Sequence, residues 1–488
     1  MHNVPVEPLS LDRLVDILPP ERGRHLLAEA ERARATFGDR VIWHVNATAQ
    51  GGGVAEMLQT LLAYGRGSGI ENRWLVLDGE SEFFTITKRI HNLLHGEPGD
   101  GGPLGEAEHE VVERVLADNL ATLLTVVAPG DIVMLHDPQP AGLVPALQEL
   151  DVHVVWRCHV GRDEPNECTD LAWTFLRRYL EDCEAFIFSL PEYAPGWVPK
   201  ERLTVIPPSI DPFTAKNADL DPATIEAVLA QASLVAGADS DGDVTFTRRD
   251  GSSGTLWRHT GLVMDGDPPP WDARLVVQVS RWDRLKDMAG VMDGFVRLAQ
   301  SGKHPDVHLV LAGPAAAGVS DDPEGADVVE ECRARWRSLS PDLQRRVHLV
   351  SVPMEDVDAN ALIINALQRH AYVVVQKSLV EGFGLTVTEA MWKGLPVIAS
   401  KVGGIKSQIV HERDGLLLED PYDLDELAAA LDRVLSDHDL ARRLGENARE
   451  RVLADFLGGR HLEQYVDLFA TLVQSEVSEG GIRAVGDA

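Results

Sequence analysis

Short apolar runs that end in a polar residue or a glycine, each followed by a helix-patterned stretch, recur along two halves of this chain. Val41-Ile-Trp-His-Val-Asn46 leads through Ala47-Thr-Ala-Gln-Gly-Gly-Gly53 into a helical run over 54–62, and Arg73-Trp-Leu-Val-Leu77 is the next strand. Asp131-Ile-Val-Met-Leu-His-Asp137, Val152-His-Val-Val-Trp-Arg-Cys-His159 and Ala185-Phe-Ile-Phe-Ser189 repeat the plan. A second series begins at Arg274-Leu-Val-Val-Gln-Val-Ser280 and continues through Val307-His-Leu-Val-Leu-Ala312, Arg346-Val-His-Leu-Val-Ser351, Tyr372-Val-Val-Val-Gln376 and Pro396-Val-Ile-Ala-Ser400. Strand–helix–strand alternation of this kind builds parallel sheets covered by helices on both faces. The pattern predicts an α/β protein with two Rossmann-like domains facing a central cleft.

Pro207-Pro-Ser-Ile-Asp-Pro212 interrupts the first series and reads as the linker. The expected division is 1–207 for the N-terminal domain and 208–459 for the C-terminal one. Residues 460–488 form a last helix expected to pack back on the N-terminal domain. The spacing of Leu11, Leu14, Val15, Ile17, Leu26, Leu27 and Ala30 predicts helix over 8–37. Residues 236–270 are polar and glycine-rich and read as a flexible surface insertion. Asp239-Ser-Asp-Gly-Asp243 within them is not a calcium loop, because Val244 stands at the glycine position and no Glu occupies the twelfth.

A formal charge of −32 repels nucleic acid and anionic membrane surfaces, so neither is an expected partner. The four cysteines, Cys158, Cys168, Cys183 and Cys332, have no C-x-x-C spacing, and the N-terminus has no signal-peptide pattern. The expectation is a soluble cytoplasmic protein, its oligomeric state left open. On so acidic a chain an anionic ligand needs a local group of cations.

The second half of the chain supplies such cations, and it also holds the stretch Glu381-Gly-Phe-Gly-Leu-Thr-Val-Thr-Glu389. A strand leads into it, two glycines break the pattern, and a helix begins near Thr386. That order places backbone N–H groups where an anion can sit. Thr386-Val-Thr-Glu389 is equally a capping box, in which Glu389 only closes its own helix. Arg281 and Lys286 follow the end of another strand, and Gly403-Gly404 a third. Cations and amides suit a diphosphate, and carboxylates suit sugar hydroxyls. The glycines at 51–53 match neither G-x-G-x-x-G nor a P-loop, which excludes NAD and Walker-type sites.

Glu381-x7-Glu389 with Arg281 and Lys286 upstream resembles the donor site of retaining nucleotide-sugar glycosyltransferases of GT-B architecture. More narrowly, the chain resembles the trehalose glycosyltransferring synthases. The resemblance rests on His44-Val-Asn-Ala-Thr-Ala-Gln-Gly-Gly-Gly-Val-Ala-Glu56, Phe83-Phe-Thr-Ile-Thr-Lys-Arg-Ile-His-Asn92, Trp156-Arg-Cys-His159, Pro208-Ser-Ile-Asp-Pro212, Ser280-Arg-Trp-Asp-Arg-Leu-Lys-Asp287 and the run from Gln376 to Gly394. Val160-Gly161 departs from it, where Ile-Asp is expected.

The resemblance implies transfer of glucose from a nucleoside diphosphate to free glucose, giving trehalose with retained anomeric configuration and no metal or cofactor. Arg281 and Lys286 would hold the diphosphate, Leu385 and Thr386 would add amides, and Gly382, Phe383 and Gly384 would complete the donor loop. Glu389 would hold the ribose, Glu381 would contact the transferred glucose, and His159 would lie beside it. Asn46, Gly51, Gly52 and Gly53 would line the acceptor side. The alternatives are a trehalose phosphorylase, a glycosyltransferase with another acceptor, and a sugar-nucleotide-binding protein without catalysis. The donor base is not legible.

Overall fold

The structure, a computed structural model, describes residues 1–49, 53–238, 243–248, 252–256, 261–315 and 325–486, with 475–486 as backbone alone. The chain forms two compact units, one of Met1–Ser209 with Phe456–Ala488 and one of Ile210–Asp455.

The first unit is built on seven strands, β1 (His2–Val4), β2 (Ile42–Asn46), β3 (Asn72–Val76), β4 (Ile132–His136), β5 (His153–Cys158), β6 (Ala185–Phe188) and β7 (Leu203–Val205). They lie in the order β1-β3-β2-β4-β5-β6-β7. All neighbours run parallel except β1, which lines the edge of β3 antiparallel. Side chains alternate between faces, and two separate cores result. Trp43, Val45, Val133, Leu135 and Trp156 belong to one; Ile42, Trp74, Val76, Ile132 and Met134 belong to the other. The second core is closed by Leu58, Leu61 and Leu62 of helix Gly53–Gly67 and by Tyr465 and Phe469 of the helix that starts at Gly458. The last stretch of the chain therefore completes the first sheet.

The predicted helix over 8–37 is divided. Asp12–Val15 is one short helix and Pro20–Phe37 another, with Pro19-Pro20 at the break. Proline lacks the N–H that would continue the first helix, yet its fixed φ suits the start of the second.

In the second unit, β8 (Val244–Thr247) and β9 (Ser253–Leu256) form an antiparallel hairpin. The main sheet contains β10 (Val263–Asp265), β11 (Arg274–Val279), β12 (Val307–Pro314), β13 (Val347–Val352), β14 (Val373–Gln376), β15 (Val397–Ser400) and β16 (Leu416–Leu418). Its order is β10-β13-β12-β11-β14-β15-β16. The stretch expected as a flexible insertion thus contributes a hairpin and an antiparallel edge strand, β10 on β13. Asp239 and Asp241 lie outside the described residues. Val276, Leu309, Leu349, Val373 and Ile398 pack against Phe295 of helix Met288–Gln300 and Leu427 of helix Leu424–Ser436.

Both sheets reverse their strand order at one place, between β2 and β4 in the first and between β11 and β14 in the second. Adjacent connections there leave toward opposite faces, and the carboxyl ends of the two strands flank an opening into which ligands of doubly wound sheets bind. Among the described residues no helix is long and apolar enough to cross a membrane.

Candidate functional site

In the second unit the loop after β11 carries Arg281 and Lys286, and the loop after β14 carries Glu381. Asp283 accepts from Leu285 N at 2.8 Å and sets a turn of 3-10 helix over Arg284–Lys286. Asp287, at φ +45°, then caps helix Met288–Gln300 by accepting from Gly290 N at 3.0 Å. These two caps fix where Lys286 projects. Its Nζ lies 2.7 Å from both carboxylate oxygens of Glu381, and Ser378 Oγ donates to the same carboxylate at 3.0 Å.

The two loops are tied together beneath this pair. Gln278 donates to the Lys286 carbonyl at 2.7 Å and accepts from Lys377 N at 3.0 Å. Leu379 N donates to Leu285 O at 2.7 Å, and the buried Lys377 ammonium pairs with Asp287. Arg281 differs from Lys286: its side chain is 53% exposed and reaches Asp283 at 3.5 Å.

Gly382, Phe383 and Gly384 form the turn into helix Leu385–Trp392. Gly384 sits at φ +83°, and a Cβ there would lie 3.1 Å from both Glu381 Cγ and Ile405 Cγ1. Only glycine makes this turn without moving the carboxylate. Gly404 N donates to Gly382 O at 2.9 Å, and Gln408 donates to the Phe383 carbonyl. The helix has no side-chain cap, so its first N–H groups, those of Leu385 and Thr386 among them, face the turn as donors.

The capping box does not form. Gly384 holds the cap position, Thr386 Oγ1 bonds Gln376 Oε1 at 3.1 Å, and Glu389 is a turn further along than the first-turn place expected. Glu389 is buried, with Lys216 Nζ 3.4 Å from its carboxylate. Lys393, one turn on, donates to the Glu389 carbonyl at 3.2 Å and to Asn217 Oδ1 at 3.3 Å. Burial pushes the Lys393 ammonium down to about 7, against the pull of Glu389.

In the first unit the strand ends carry a second polar group. His159 lies within 3.2 Å of His136, which lies within 3.1 Å of His44, the rings nearly parallel. Burial pushes His136 and His159 well below the ordinary imidazole range and His44 to about 3, so all three are neutral. His159 N donates to Asp137 Oδ1 at 2.8 Å. Behind them the fully buried Arg157 donates to His461 at 2.8 Å, to Ile206 O at 3.1 Å and to Tyr465 Oη. Asn46 spends its amide on its own surroundings, donating to Thr48 O at 2.7 Å and accepting from Trp74 at 2.9 Å. Gly53 is the first residue of helix Gly53–Gly67. Gly51 and Gly52 lie outside the described residues.

Burial raises Asp137 to about 7, opposed by the His159 amide and by Arg157. Its pKa is higher folded than unfolded, so folding takes up a proton between the two values. Its stabilising contribution is whole below about 4 and is lost as pH rises through about 7. The neutral histidines act oppositely, losing stability as pH falls below their unfolded values. Asp137→Asn isolates the carboxyl, since an amide oxygen still accepts from His159 N. The variant is expected to melt progressively higher than the parent from pH 4 to above 7 and level with it at pH 4. Thermal melts across that range check it, and a constant offset sinks it.

Thus Lys286, Glu381 and the 382–386 turn come together in one unit, with Arg281 on the same loop and Glu389 one helical turn away. Asn46, Gly53 and His159 belong to the other. Lys216, Gln376, Gln408 and Arg157 were not foreseen. Arg157 meets His461 across 304 residues, and no local pattern announces such a pair. Among the described residues, no group of three or more His, Cys, Asp and Glu is placed to hold a metal ion.

The family model described as trehalose synthase, N-terminal domain, matches residues 44–195, and that of glycosyl transferases group 1 matches residues 267–451. The chain is 35% identical over 442 residues to trehalose synthase of Pyrococcus horikoshii, covering 91% of this chain and 92% of that one. It is 25% identical to trehalose phosphorylase of Pleurotus pulmonarius, over 83% of this chain and 54% of the other. A solved structure described as "Trehalose-6-phosphate from E. coli bound with UDP-2-fluoro glucose" superposes with a TM-score of 0.64 over 88% of this chain and 99% of that one. At 14% identity that likeness is one of fold. Whole-length identity to trehalose synthases, two parallel-rich sheets and both family models lead to one placement: this chain belongs to the trehalose synthase family of glycosyltransferases, with the GT-B fold.

Proposed function

We propose that the protein forms trehalose by moving glucose from a nucleoside diphosphate to the hydroxyl of free glucose, reversibly and with retained configuration. The observation that carries this reading is the Lys286–Glu381 pair beside the uncapped helix start of Leu385 and Thr386. Lys286, Arg281 and these amides are donors gathered where a departing diphosphate gains charge. Stabilising charge that develops in the transition state is what accelerates transfer. The C1–O bond to phosphate breaks, and the acceptor oxygen bonds C1 on the same face. The acceptor's proton passes to a phosphate oxygen of the leaving nucleotide. Glu381 contacts the transferred glucose, His159 lies beside that sugar, and Glu389 holds the ribose. No metal enters this scheme.

The ligand of the E. coli structure, UDP-2-fluoro glucose, supports a nucleotide-sugar donor on this fold. The phosphorylase relative supports a second reading in which inorganic phosphate replaces the nucleotide. Incubating the protein with trehalose and either phosphate or a nucleoside diphosphate separates the two. Nucleotide-dependent formation of a sugar nucleotide and glucose is expected. Glucose 1-phosphate release with phosphate alone would overturn the first reading in favour of the second.

A further inference from the structure

The loop that follows His159 and the loop that follows β6 enclose, with helix Glu167–Leu180, a cavity of about 350 Å³ lying within the first unit. That is at the small end of the roughly 300–1,000 Å³ typical of ligand sites, room for a ligand of one or two rings. Its apolar wall is aromatic: Trp173, Trp197 and Tyr193.

These rings are held from below. Trp173 packs edge-on against Trp156 at 6.2 Å and Trp197 at 6.3 Å, and Trp197 against Phe186 at 5.9 Å. Trp156 and Phe186 are fully buried, so the platform is ordered before any ligand arrives. The wall also explains the glycine at 161. A Cβ there would lie 2.1 Å from Tyr193 Cγ, so Tyr193 occupies the space that a side chain at 161 would fill.

The rim is polar and carries both signs of charge. Asp170 and Glu192 are exposed and, among the described residues, neither carboxylate has an ion pair or hydrogen bond. Arg162 and Arg177 line it too: Arg162 donates to the His95 carbonyl at 3.4 Å, and Arg177 pairs with Glu181 and lies over the Trp197 ring at 5.9 Å. The rim carries charges of both signs, so a ligand of either sign meets repulsion as well as attraction. Carboxylates only accept hydrogen bonds and guanidinium groups only donate them, whereas a hydroxyl does both. A polyhydroxyl ring can meet both kinds of group on this rim, with its C–H face against indole.

We propose that this cavity is a binding site for a neutral pyranose, glucose or a glucoside, additional to the residues assigned to transfer. The test is titration of the full chain with glucose and with trehalose, read by indole fluorescence and calorimetry, with choline and inorganic phosphate as charged probes. Saturable sugar binding is expected, weakened on the order of tenfold or more in the Asp170→Asn, Glu192→Gln double variant. Both positions are exposed, so the variant's melt should match the parent's. Arg281→Ala, distant in sequence and on the other unit, should leave this binding in place. An absence of saturable sugar binding, an unchanged affinity in the double variant, or loss of binding in Arg281→Ala would each overturn the assignment. Displacement of the sugar by choline or phosphate would overturn its neutral class.

Discussion

Replacing Lys286 with methionine is expected to lower the transfer rate on the order of 10²–10³-fold, the cost of removing one preorganised donor from a developing anion. The same change also has a structural cost. The Glu381 carboxylate is 10% exposed and holds Lys286 at 2.7 Å, so the variant takes this cation away from a nearly buried charge. Breaking such a pair costs about 3 kcal/mol, and a lower melting temperature should accompany the lost rate. The two effects separate in the double variant Lys286→Met, Glu381→Gln, which removes both charges and keeps an amide for Ser378 Oγ. Stability should return most of the way while turnover stays low. Melts and initial rates on the three proteins decide the matter. Recovery of turnover together with stability would mean that the pair only braces the two loops.

Ending the chain at Asp455 is expected to unfold the first unit and spare the second. Tyr465, Val466, Phe469, Ala470, Leu472 and Val473 are buried in the core that contains Ile42, Trp74, Val76, Ile132 and Met134. Fully burying a large apolar side chain contributes about 1.5–3 kcal/mol, so losing several is comparable to the whole of the roughly 5–15 kcal/mol by which domains are stable. The cut also removes His461 and Tyr465 from the fully buried Arg157, taking both partners from its Nη1. Calorimetry should show one surviving transition, and limited proteolysis should degrade 1–209 first. A truncated protein that keeps both transitions would show that the returning helix is dispensable.

Much of this architecture is legible in the sequence because buried parallel strands leave continuous apolar runs, and every such run is a strand within a residue or two. The strands that escape notice, β1, β7 and β16, have three residues each, too few for any period to show. The polar stretch 236–270 hides β8–β10 for the same reason, since short strands with exposed faces carry little apolar signal. In the site, Glu381, Lys286 and the glycine turn are recognisable as types in order. The partners that give them meaning are not. Thr386-Val-Thr-Glu389 fits a capping box by spacing, but Gln376 takes the threonine and Lys216 faces the glutamate. Contacts from distant segments override the local preference, and nothing local encodes them.

Because the first unit is assembled from Met1–Ser209 and Phe456–Ala488, its order of appearance at the ribosome matters. The strands of its sheet are all synthesised before Ile210, yet one face, partly covered by helix Gly53–Gly67, is not fully closed until the final helix emerges. At about 5–20 residues per second the whole second unit must be made in the interval, a wait on the order of ten to fifty seconds. The unit encoded in the middle of the chain can close its core first, while the unit encoded at the start waits with one core incompletely covered. The nascent chain is therefore most exposed to aggregation, and most in need of a chaperone, during translation of its central half.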